Sequence, residues 1–254
     1  ANVRLVFEKP GSLPTYRDLS VHYNDAMLHD YTIPIATMRV FDLNNIIIAD
    51  NGDGSFTSIN SALDFINEYL DSGLYNNEPI RIKLLAGTYD ESVDLSPLAA
   101  LGVTNFTLEG EGNPEIKGQI TLNCEALSPL QAAGYKIKGI RFSDTALAIL
   151  FRDSWDDNAE EAHAPHLKLT VENCQFQDCG SPDIQSQSSY GAAAIHFEGA
   201  GAINACAFTD NVLTAPSSNY ATNLKAGAIY VLNNSTDAVT ISGCSFANNL
   251  GAVS

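Results

Sequence analysis

The chain has 254 residues, 45% of them hydrophobic, and no apolar run approaches the roughly 20 residues that span a bilayer, so a disordered tail and a membrane-spanning helix are both excluded. Thirty acidic residues against thirteen basic ones give a formal net charge of −17, a field that repels nucleic acid and anionic membranes. The basic residues thin out along the chain, with only Lys168 and Lys225 following Arg152.

Residues 1–44 carry three prolines and mixed polarity and are expected to form an irregular leader or extended arm, able to supply a strand to a neighbour. From Asn45 onward, residues 45–254 read as one repetitive body. The run NIIIAD is a strand, and the Gly-rich turn after it leads into an amphipathic helix with Ile59, Ala62, Leu63, Ile66 and Leu70 on one face. Ser58 is placed to cap this helix and Gly73 to stop it. A helix here would cover the first turn of whatever the strands build, shielding edges that otherwise aggregate. PIRIKLLAGTYDESVDL then gives strand, turn and strand.

Five runs share one frame: VTNFTLEG from Val103, IKGIRFSD from Ile137, VENCQFQD from Val171, INACAFTD from Ile203 and ISGCSFAN from Ile241. Their fourth positions, Phe106, Ile140, Cys174, Cys206 and Cys244, are 34, 34, 32 and 38 residues apart. A period of this length is the mark of stacked supersecondary units. The residues before these positions are Asn105, Gly139, Asn173, Ala205 and Gly243. Four of the five are Gly or Asn, which enter left-handed backbone geometry at least cost. Each run is therefore predicted to be a short strand, a sharp bend through Asn105, Gly139, Asn173 or Gly243, and a second short strand. Ala205 marks a place for a different bend.

Further strands are expected at AILF, AAIHF and GAIYVL. Three strands per unit of about 34 residues describe one coil of a right-handed, single-stranded parallel β-helix, an all-β fold with the amphipathic helix near its first coil. Like residues then lie above like: Cys174, Cys206 and Cys244 in one column, Phe142, Phe176, Phe208 and Phe246 in another. A leucine-rich solenoid lacks its leucine-dense period here, and a sandwich would not keep this register.

The five cysteines, Cys124, Cys174, Cys179, Cys206 and Cys244, are an odd number, so they cannot all pair within the chain. C-x4-C at Cys174 and Cys179 stands alone as a zinc pattern, whereas three cysteines at one repeat position read as small buried fillers. The acidic run containing Asp153, Asp156 and Asp157 offers the candidate calcium ligands, against the competing reading of a solvated loop. No other cofactor is expected.

IIIADNGDGSFTSINSALDFI, IRIKLLAGTYDESVDL and NFTLEGEGNPEIKG together resemble the opening of pectin methylesterases within the pectin lyase-like superfamily, over Ile46 to about Asp144. FTDN at Phe208, AGAI at Ala226 and FANN at Phe246 resemble the FxxN and GGA[ILV] repeats of polymorphic outer-membrane protein passengers. The superfamily implies a right-handed helix and a secreted or cell-surface setting. It also implies, in the esterases, two aspartates, an arginine and oxyanion-stabilising glutamines. Their QDTL, DFIFG and LGRPW motifs are absent, and Asp178 in FQDCG falls on the ordinary polar position shared with Asp144 and Asp210. No catalytic residue is carried over.

The sequence therefore points to a non-catalytic surface scaffold or adhesin-type module meeting a protein partner or a glycan. The alternative is a carbohydrate-active enzyme, an esterase or lyase. An enzyme should bring carboxylates and a basic residue together in one groove, along the strands from Arg141 to Arg152. A scaffold should spread them over separate faces. FANNLGAVS follows directly on a repeat, which leads to the expectation that the helix continues, is capped by another chain, or stacks end to end as a homo-oligomer or filament.

Overall fold

The computed structural model describes residues 2–7, 15–20, 42–71, 77–124, 133–153, 167–180, 192–213, 226–233 and 235–251. The body is a right-handed parallel β-helix with three stacked sheets. The first sheet stacks Ile46–Ile48, Ile80–Leu84, Asn105–Gly110, Gly134–Lys138, Lys168–Glu172, Ala200–Asn204 and Val239–Ser242, all paired in parallel. The second stacks Thr88–Tyr89, Glu115–Ile116, Arg141–Ser143, Gln175–Gln177, Ala207–Thr209 and Ser245–Ala247. The third stacks Val93–Asp94, Ile120–Asn123, Ile149–Arg152, Ile195–Glu198 and Ile229–Leu232.

Side-chain alternation fills the axis. Leu108, Ile137, Val171 and Ile203 are register partners in the first sheet and all are buried. In the second sheet Phe142, Phe176, Phe208 and Phe246 stack nearly parallel, with ring centroids 5.0, 4.8 and 5.0 Å apart. The coil repeat thus sets the ring spacing. On the last described coil the inward side chains have no coil above them among the described residues, and Phe246 is 54% exposed where Phe208 is fully buried.

The passage from first to second sheet is a two-residue corner in four successive coils: 139–140, 173–174, 205–206 and 243–244. Its first residue is left-handed each time, with φ of 67° at Gly139, 53° at Asn173, 52° at Ala205 and 63° at Gly243. Ala205 therefore makes the same bend as its neighbours, not a different one. The pairing on both sides of the corner leaves it no other path, so an alanine is held where glycine is easiest. A second left-handed residue follows the short strand at Asp144, Asp178, Asp210 and Asn248. The recurring polar residue of the repeat is thus a corner former.

Asn105 does not bend. It is the first residue of a strand, opposite Gly134, and the corner of its coil is the four-residue stretch 111–114, with Gly112 and Asn113 left-handed. The run from Val103 is consequently out of frame: Ile137 pairs with Leu108, a step of 29 residues, and Phe106 pairs with Tyr135.

An amide ladder locks the second corner. The Asn211 side chain accepts from Cys179 N (3.0 Å) and donates to Phe176 O (3.1 Å), while Asn249 donates to Phe208 O (2.9 Å) and accepts from Asn211 Nδ2 (2.8 Å). Each Asn of an F-x-x-N run thus satisfies the Phe carbonyl of the preceding coil. Cys179 occupies the same position one coil earlier, its thiol aimed at Phe142 O at 3.9 Å.

Helix α1, Ile59–Asp71, buries Ile59, Ala62, Leu63, Ile66 and Leu70. Its first turn is held by Ser58 Oγ, which accepts from Ser61 N (3.1 Å), and by Glu91, whose carboxylate accepts from Ile59 N (2.7 Å) and Asn60 N (3.0 Å). The buried face of α1 joins the same core as Ile46 and Ile48 of the first coil. Gly73 lies outside the described residues. A short helix α2, Ser96–Ala100, follows the first strand of the third sheet.

The leader is not wholly irregular. Asn2–Phe7 and Thr15–Ser20 pair antiparallel, Asn2 opposite Ser20.

Candidate functional site

Alternation along the first sheet sends a second set of side chains outward. Arg81, Thr107, Lys136 and Thr170 form one register row, and Lys83, Glu109, Lys138 and Glu172 the next. The first row, with Lys138 of the second and Asn105, Gly134 and Lys168, borders a groove of about 650 Å³ on the sheet's outer face. Gly134 leaves a gap between Asn105 and Lys168, which deepens the groove between side chains.

Five of the chain's thirteen Lys and Arg residues stand on this face: Arg81, Lys83, Lys136, Lys138 and Lys168. Each has an acidic neighbour. Glu109 bridges Arg81 and Lys138, the latter at 2.9 Å, and Lys83 meets Glu111 at 2.9 Å. Lys136 meets Glu172 at 3.4 Å and Lys168 meets Asp237 at 2.6 Å. Burial alone would push the Glu109 carboxyl up, but hydrogen bonds from Lys138 and Arg81 outweigh it and hold Glu109 below the usual carboxylate range. An ionised, doubly paired carboxylate cannot serve as a general acid.

Other charged groups gather on the two other faces. On the second sheet Glu115 accepts from Ser143 Oγ (2.6 Å) and lies 3.6 Å from Arg141, which donates to Gln177 (3.1 Å). On the third, Glu198 takes His196 Nε2–H on one oxygen (2.6 Å) and Arg152 Nε–H on the other (3.0 Å), and the Tyr230 ring stacks on His196 at 4.9 Å. Burial would raise Glu198, yet the bonds from His196 and Arg152 hold it at about 2. Arg141 and Arg152 therefore lie on different sheets and do not converge. The Arg152–Glu198–His196 cluster was not foreseen. Its signal is the period of two in AAIHFEG, which turns His196 and Glu198 to the same side of their strand, where both are buried.

Of the three candidate calcium ligands, Asp153 is among the described residues. It is fully buried at the end of the third-sheet strand Ile149–Arg152, its N–H donating to Glu198 O at 2.7 Å. A Cβ on Gly199, one coil later, would lie 2.8 Å from the Asp153 Cβ, so glycine is required there. Burial, with Asp153 adding to it, pushes the Cys124 thiol up. Asp156 and Asp157 lie outside the described residues. Among the described residues no three of His, Cys, Asp and Glu are grouped to hold a metal ion.

Cys174 and Cys206 are buried at successive corners, with Cys244 half-buried above them. Their thiols point at Ile137 O, Val171 O and Ile203 O respectively, at 3.7, 3.7 and 3.5 Å. Burial pushes Cys174 well above the ordinary thiol range and Cys179 up to about 12, so neither is a ready nucleophile.

No family model matches the chain, and no curated protein matches it. A solved structure titled as the deglycosylated pectin methylesterase from Aspergillus niger aligns with 83% of this chain and 90% of its own, at 13% identity and a TM-score of 0.27. So slight a superposition carries no argument about site or activity; the fold rests on the strand pairing described above. No described helix is long and apolar enough to cross a membrane.

Proposed function

We propose that the chain is a non-catalytic β-helical scaffold of the cell exterior that binds an acidic glycan along the outer face of its first sheet. The observation that supports this is the gathering of Arg81, Lys136, Lys138 and Lys168 along one groove, with Lys83 on the same sheet face, in a chain of net charge −17. Thr107, Thr170 and Asn105 add hydrogen-bonding groups, and strands about 4.8 Å apart present them at regular intervals to an extended ligand. Five cations face four carboxylates here, Glu109, Glu111, Glu172 and Asp237, so binding is weak per site and salt-sensitive.

The test is calorimetric titration with polygalacturonate and with a neutral dextran of equal length. The acidic polymer binds at low salt, affinity falls steeply as salt rises, and the double substitution Lys136→Ala with Lys168→Ala removes most of it. Equal binding of the neutral polymer, or none of the acidic one at low salt, overturns the reading. The enzyme reading has one observation in its favour, the Arg152–Glu198–His196 cluster. Methanol release from esterified pectin, or calcium-dependent unsaturated product, abolished by Glu198→Gln, would establish it instead.

A further inference from the structure

Gly134 lacks both of the usual reasons for glycine. Among the described glycines from Gly52 to Gly243, each of the others is either left-handed, as Gly139 and Gly243 are, or pressed against a neighbour, as at Gly110, where an added Cβ would meet Gly139 O at 2.2 Å. Gly134 is neither. Its φ lies outside the left-handed region, and among the described residues no atom lies within 4 Å of where its Cβ would stand. A glycine in a strand weakens it, having more chain entropy to lose and no side chain to pack. The fold therefore gains nothing from glycine at this position.

What the missing side chain leaves is space in the groove of the first sheet. Gly134 pairs with Asn105 on one side and Lys168 on the other, so these two outward side chains stand two strands apart, about 10 Å between α-carbons. Lys136, two residues along the same strand as Gly134, faces the same way. The notch thus has a floor of peptide backbone, an amide on one wall, an ammonium on the other and a second ammonium at its end. Arg81 and Lys138 also line the groove, whereas the carboxylates that pair with these cations, Glu109, Glu172 and Asp237, stand outside its described lining. That width admits one pyranose ring lying on the backbone, and the cations favour a ring that carries a carboxylate.

We propose that Gly134 is the specificity-determining position of this surface: the notch above it seats one acidic sugar ring, whose carboxylate meets Lys136 and Lys168 while Asn105 hydrogen-bonds its hydroxyls. The proposal rests on the acidic-glycan reading of the groove and adds to it a requirement of shape. Charge alone lets a polymer lie anywhere along the row of cations. The notch fixes one of its rings in place.

The experiment compares the wild-type chain with Gly134→Ala and Gly134→Val, by calorimetric titration with polygalacturonate at low salt, well below the melting temperature, and by thermal melting. Neither substitution changes a charge. Valine weakens binding at least tenfold and alanine less, with both melting temperatures at or above the wild-type value, because the new side chain enters open space on a strand that suits it. The decline of affinity with added salt keeps its wild-type slope in both variants, whereas Lys136→Ala with Lys168→Ala flattens it. Wild-type affinity in Gly134→Val overturns the notch and leaves the acidic-glycan reading standing. A lower melting temperature in Gly134→Ala shows that the glycine serves the strand itself and also overturns the proposal. Absence of binding by the wild-type chain defeats the acidic-glycan reading, and the notch with it.

Discussion

The first coils and the later ones solve the same problem differently. Up to Ile116 the passages from first to second sheet are three and four residues long, 85–87 and 111–114, and α1 packs over the opening coil. From Gly139 onward every such passage is two residues with a left-handed first member, a phenylalanine column runs beside it, and side-chain amides close the last two corners. The later coils are held by repetition of one local geometry, the earlier ones by individual contacts such as Glu91 on the first turn of α1 and Tyr89 Oη on Ile48 O and Leu85 O. A solenoid need not be uniform to be continuous.

Substitutions can break this contrast. Phe208→Ala, in the buried middle of the ring column, should cost about 3–5 kcal/mol, read by denaturant unfolding. Phe246→Ala should cost no more than about half as much, because its ring is already half in solvent. Asn211→Ala strands the Cys179 N–H and the Phe176 carbonyl in a buried corner and should cost about 1–3 kcal/mol. Asn173→Val should cost about 1–2 kcal/mol, since a β-branched residue resists left-handed geometry. Asn105→Val, in a strand, should stay within about 0.5 kcal/mol. Equal losses at 173 and 105 would erase the distinction between the two regions.

Ala205→Gly should raise stability by about 0.5–1 kcal/mol, the relief of a left-handed alanine less the entropy of glycine. The effect at Glu198 depends on pH. Its carboxyl is held below the ordinary value, so its contribution is complete above the unfolded carboxylate range and is lost as pH falls from about 4.5 toward about 2. Melting temperatures measured from pH 6 down to pH 3 should fall less steeply in Glu198→Gln than in the wild-type chain. Glu109 shifts in the same direction among the early coils, but its partners Arg81 and Lys138 stand at the surface, so added salt should blunt its share more.

What the sequence disclosed follows the same divide. Ile137, Val171, Ile203 and Ile241 fall in one frame because their corners are equal, and that frame yields the columns at Cys174 and Phe176. The frame slips at Val103 because the step from its strand to the next coil is 29 residues and the corner that follows it, 111–114, has two more residues than the later ones, which makes Asn105 look like a bend when Gly112 and Asn113 supply it. The left-handed role of Asp144, Asp178 and Asp210 was hidden because aspartate at a strand end reads equally well as a solvated side chain. The first-sheet groove escaped notice for another reason. Its cations come from strands up to about 90 residues apart, and only stacking brings Arg81 beside Lys136 and Lys168.

The constant two-residue corner divides each coil into a part that tolerates no editing and parts that do. Deleting or adding a residue at 173–174 would turn Gln175, Phe176 and Gln177 inside out against their partners above and below. Between Gly180 and Ala192, or between Leu213 and Ala226, the chain already accommodates segments of different length while the strands on either side keep their alignment. Because closing a longer segment costs little more than closing a short one, those two stretches are natural ports for grafting foreign peptides. Display on a rigid rod would follow without redesign of its interior.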